Sequence, residues 1–155
     1  MNATDAAIAQ SLAQEHGLAA QLFEALGREE AALLDNDADA LSQATHGKSQ
    51  LIAGFVTLHQ QLRRLLGQAG LPERDGSMAS WVARQSDPSV QQQWRELLDC
   101  AQRAQELNRT NGLLIQRLSV RNQAALAALR GPGGSELYGQ GGLTGLRTRF
   151  RTILG

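Results

Sequence analysis

The run PSVQQQWRELLDCAQRAQELNRTNGLLIQRLSVRNQAALAALR, residues 88–130, decides the fold. Alternating steps of four and three from Val90 pass through Trp94, Leu97, Ala101, Ala104, Asn108, Asn111, Ile115, Leu118, Asn122, Ala125 and Leu129, a heptad seam that never slips. Asp87-Pro88 is a start signal, since the carboxylate can cap free N–H groups and proline is pre-shaped for the first helical position. Gly131-Pro132 is an equally clear stop. The spacing predicts one unbroken helix over 88–130, roughly 60 Å long at 1.5 Å per residue, and therefore an elongated molecule.

Three asparagines, Asn108, Asn111 and Asn122, fall on a seam that should be apolar. One such residue can fix register at some cost in stability. Three, with Gly112 adding about 1 kcal/mol of lost helix propensity, point instead to close backbone approach or a polar contact surface. On that second reading, leucine at any of the three would stabilise the bundle and weaken partner binding.

Working outward, Thr4 or Asp5 can cap a first helix with the seam Ile8, Leu12, Ala19, Leu22, Leu26 and Leu33, broken by Glu15 and Glu29. Asp35-Asn36-Asp37 reads either as a turn with Asp37 capping the next helix or as a mild interruption, and the turn is preferred. The second helix carries Leu41, Ala44, Lys48, Leu51, Phe55, Leu58, Leu62 and Leu65 and should pair antiparallel with the first. Gly70 to Gly76 form a loop, and Ser77 can cap a short helix over 78–85 in which Trp81 packs on the bundle, as Trp94 does from the long helix. The fold class is all-α: an elongated antiparallel helical bundle over residues 1–130, with a Gly-rich linker and an amphipathic tail over 131–155.

That tail begins with GPGGSELYGQGG, whose six glycines and one proline break regular structure. Leu137 and Tyr138 within it read as a docking motif, because neighbours of this composition cannot build a core around them. Beyond it, Leu143, Leu146 and Phe150 fall at helical spacing with Arg147, Arg149 and Arg151 between them. Such a segment can fold back on its bundle, enter a neighbour's groove, or stand in for a partner's helix.

Composition excludes several functions. Fifteen basic and fifteen acidic side chains give no bulk field toward nucleic acid or an anionic membrane. No apolar run approaches the length of a membrane span, and the first residues lack the basic start and apolar core of a signal peptide, so a cytoplasmic protein is expected. The single cysteine, Cys100, reads as a small apolar residue. None of His16, His46 and His59 has a glutamate three residues before it, which a di-iron bundle would need, and Gly47-Lys48-Ser49 lacks the rest of a phosphate loop. No catalytic residue, metal ligand or cofactor is expected.

The run Asn108, Asn111-Gly112, Leu113-Leu114, Leu118, Asn122-Gln123, Ala125-Leu126 and Leu129, followed by Leu137-Tyr138-Gly139 and Gly142, resembles the C-terminal signature of FlgN, the flagellar type III export chaperone. The N-terminal half agrees more loosely, through Glu29-Glu30 before Leu33-Leu34 and Lys48 before Leu51-Ile52. The resemblance implies a chaperone that binds the C-terminal helices of the hook-filament junction proteins, keeps them from assembling early and delivers them to the export gate. It implies substrate contacts at Asn108, Asn111, Ile115, Leu118, Asn122, Leu143, Leu146 and Phe150, and docking on an export-gate component through Leu137, Tyr138 and Gly139, with the export ATPase complex a further candidate partner. A coiled-coil adaptor or scaffold is the alternative. It should saturate its seam with Leu and Ile, whereas a chaperone needs a polar-interrupted surface that can exchange partners.

Overall fold

The computed structural model describes residues 2–72 and 74–131, and the tail motifs with Leu137, Tyr138, Gly139, Leu143, Leu146 and Phe150 lie outside them. Four helices account for nearly all of this: α1 (Ala3–Asp35), α2 (Ala38–Gln68), α3 (Ser77–Ala83) and α4 (Pro88–Arg130). The all-α, elongated bundle expected from the seams is present. Its longest helix has the expected bounds, with Asp87 Oδ1 accepting from the Ser89 N–H at 2.8 Å and Pro88 in the first turn.

The turn between α1 and α2 is also as read. Asn36 adopts the left-handed conformation at φ 55°, which reverses the chain, and the Asp37 carboxylate then accepts from the Ala40 N–H at 3.0 Å. Two other caps differ from expectation. Asn2, not Thr4 or Asp5, caps α1 by accepting from the Asp5 N–H at 2.8 Å. That leaves the Asp5 carboxylate to accept from Trp81 Nε1 at 2.8 Å, which ties α3 to the first turn of α1. Ser77 does not cap α3: its hydroxyl donates back to Pro72 O, and Gly76 turns the chain at φ 88°, a conformation that favours glycine.

Helix α1 is the axis of the molecule. It buries eleven residues, against five in the longer α4, because α2 and α4 pack on it from different sides. Helix α2 runs antiparallel to α1, with Lys48 opposite Glu29 and His59 opposite Glu15. Helix α4 runs in the same direction as α1: Trp81, just before it, meets Asp5, and Asn111 meets Leu26 and Glu29. No Cα atom of α2 comes within 8 Å of one in α4. The shared core contains Ile8, Leu12, Leu22 and Leu26 of α1, Phe55 and Leu62 of α2, Trp81 of α3, and Val90 and Leu97 of α4. Leu66 is buried where the α2 seam would place Leu65, which is half-buried, so the α2 face rotates slightly toward the α3 end.

Asp87 supplies a pH test. The Ser89 backbone N–H and its hydroxyl hold the Asp87 carboxyl below its ordinary value of 3.8. A depressed native pKa contributes stability that is complete above the ordinary value and lost as pH falls through the lowered one. Asp87→Ala should lower the thermal midpoint at pH 7 by a few degrees. The gap between variant and parent should close as the pH is taken well below 3.8, which circular dichroism melts would read directly.

Candidate functional site

Midway along α1's second half, Glu29 is 1% exposed, and a carboxylate buried to that degree is costly unless it is paired and hydrogen-bonded. It has two. Lys48 Nζ of α2 meets Oε1 at 2.5 Å, and Asn111 Nδ2 of α4 donates to Oε2 at 2.9 Å. The same Asn111 amide donates to Leu26 O at 2.9 Å, while its Oδ1 is buried without a protein partner among the described residues. An asparagine fits this position because one short side chain supplies two N–H donors, to a helix carbonyl and a carboxylate together. One turn of α1 thus holds both flanking helices by polar contact.

This layer decides between the two readings of the seam asparagines at one position only. Asn111 is 1% exposed and acts within the chain, as a register-fixing polar residue does. Asn108 is half-buried beside it, and Asn122 is exposed. The expectation that leucine at any of the three stabilises the bundle is therefore corrected for Asn111, where leucine would strip a donor from a buried carboxylate.

Beyond Asn111 the seam leaves the core. Helix α1 ends at Asp35, but α4 continues, and every residue from 119 to 130 is exposed. Leu118 is half-buried at the boundary, Ile115 is 37% exposed, and Leu126 and Leu129 reach 50% and 84%. By the 3.6-residue period, Ile115, Leu118, Asn122, Leu126 and Leu129 share one face, a direct continuation of the face on which Ala104 and Asn111 pack against α1. The sequence RNQAALAALR keeps this end helical without a neighbour, since alanine and leucine are the strongest helix formers. Where α1 stops, a cleft of about 280 Å³ opens between Leu33, Leu34 and Asn36 on one side and Leu114, Arg117, Leu118 and Arg121 on the other.

Of the residues expected to contact a partner, the structure groups Ile115, Leu118 and Asn122 on this open face, turns Asn111 toward α1 and leaves Asn108 half-buried one turn before it. Sequence reasoning missed Leu33, Leu34, Arg117 and Arg121. The signal was available, because an α1 shorter than α4 and parallel to it must leave part of α4 uncovered. Among the described residues no group of His, Cys, Asp and Glu could hold a metal ion, and no helix is long and apolar enough to cross a membrane. Cys100 is half-buried, and burial pushes its thiol above the ordinary value, so it carries less thiolate than a free cysteine and should alkylate more slowly at pH 8.

A long helix that carries its packing face past the end of the helix it packs on defines a class by fold, an all-α bundle in which one face of α4 is left uncovered. Residues 1–145 match the family model described as FlgN protein, and the chain belongs to the FlgN family, which comprises flagellar export chaperones and not enzymes. No curated protein and no solved structure matches the chain.

Asn111→Leu should destabilise the isolated protein by about 1–3 kcal/mol, the usual cost of an unsatisfied buried polar group. Replacing Glu29, Lys48 and Asn111 together with apolar residues of similar size should be close to neutral. Urea unfolding of the single and triple variants distinguishes a layer that specifies register from one that supplies net stability.

Proposed function

We propose that this protein binds the C-terminal helices of the hook-filament junction proteins in the cytoplasm, keeps them from assembling early and delivers them to the flagellar export gate. The observation that carries the binding step is the open α4 face, in line with the core face and bordered by the cleft at the end of α1. An amphipathic substrate helix laid along Ile115, Leu118, Leu126 and Leu129 would cover apolar surface that α1 does not reach. Asn122 in the middle of that stripe weakens any permanent pairing there and so favours exchange over assembly. Leu143, Leu146 and Phe150 of the tail add to the substrate site. Leu137, Tyr138 and Gly139 dock on an export-gate component, with the export ATPase complex as a further contact.

The buried Asn111 layer would equally suit the second reading, a coiled-coil scaffold, since its polar contact serves the chain's own register. Membership of a chaperone family favours the first. Calorimetric titration of the full chain, and of a version truncated after Arg130, with peptides from the C-terminal ends of both junction proteins separates them. Sub-micromolar binding that weakens on truncation is expected. Absence of binding, in a chain that sediments as a stable higher oligomer, would support the scaffold.

Tyr138→Ala should leave junction-protein affinity unchanged while reducing pull-down of the export-gate component. Equal loss of both would show that gate and substrate share one surface.

A further inference from the structure

The chain is neutral as a whole, but its charges are not evenly placed. From Leu107 to the end of α4 there is no Asp or Glu, while Arg109, Arg117, Arg121 and Arg130 are all present. Arg117 and Arg121 lie one turn apart, both exposed, and both line the cleft beside Leu114 and Leu118. Neither forms an ion pair among the described residues, although Asp35, Asp37 and Asp39 crowd the nearby α1–α2 turn. An apolar trough with an unpaired row of guanidinium groups along one wall recognises a surface of opposite charge.

The geometry points to an amphipathic helix with acidic side chains along one flank of its apolar stripe as the occupant of this trough, its acids facing Arg117 and Arg121. This rests on the chaperone reading and adds the chemical class of helix that is selected. The chain's own tail fits poorly, because residues 137–155 contain three arginines and no acid. The α4 end of a second copy meets the same repulsion. Guanidinium groups suit the task, since they stay charged and can hold a carboxylate with two parallel N–H donors.

Two designed peptides of about 25 residues, long enough to be helical when bound, test this. Both carry the same leucine stripe, one flanked by Glu and one by Lys. Titrated into the full chain, the Glu peptide should bind about tenfold more tightly at low salt, and the advantage should shrink as salt is raised. The double variant R117E/R121E, whose altered residues are exposed and whose melt should match the parent, should reverse the preference. Equal affinity for the two peptides, or an unchanged preference in the double variant, would overturn the inference. So would a dimer of the free chain that the double variant dissociates, which would assign the trough to a second copy. Junction-protein peptides run alongside keep the two levels separate: their binding with no Glu preference defeats only the acidic-helix inference, and their failure to bind defeats the chaperone reading.

Discussion

The carboxylate of Glu29 is the point on which the three long helices agree. It is buried in α1, neutralised from α2 by Lys48 and hydrogen-bonded from α4 by Asn111, while the backbones of α2 and α4 stay apart. Sliding α2 by one heptad would take the ion-pair partner from a buried carboxylate, at a cost of several kcal/mol, and sliding α4 would leave its second oxygen without a donor, at about 1–3 kcal/mol. Leucine seams alone tolerate such slips far better. With Asn111 fixed opposite Glu29, six residues of α1 and nineteen of α4 remain, so α4 must outrun α1 by about 20 Å. The polar layer therefore sets the length of the open face.

That face is held ready by local chemistry. An isolated helix end of a dozen residues is marginal in water, but this one is Ala- and Leu-rich and grows from a helix already nucleated in the core. The apolar residues on it are presented in register rather than collapsed. Its unpaired arginines add selection by charge to the non-directional pull of apolar burial.

Much of the fold was legible in the sequence because its signals are local. Asp87-Pro88 and Gly131 bound α4, Asn36-Asp37 make the first turn, and the heptad seams name most of the core. The caps at Asn2 and Gly76 were not, since several neighbouring polar or glycine residues could have served and tertiary contacts chose among them: Asp5 is taken by Trp81 and Ser77 by Pro72. The candidate site was half legible. Three asparagines on one seam look equivalent in sequence, yet Asn111 faces a carboxylate, Asn108 sits at its edge and Asn122 lies past the end of α1. Only the relative register of α1 and α4 separates them. Glu29 and Lys48 are harder to pair from spacing, since they lie six and ten residues from the facing helix ends and the long lysine side chain has to span that offset of about one turn.

Amide hydrogen exchange across α4, in the free chain and in the presence of a saturating C-terminal segment of a junction protein, tests the account most directly. The account predicts strong protection from Leu97 to Asn111 in both states, and rapid exchange over residues 119–130 that slows by orders of magnitude when the segment is added. An α4 end already as protected as the core in the free chain, or one that exchanges equally fast with substrate bound, would contradict it.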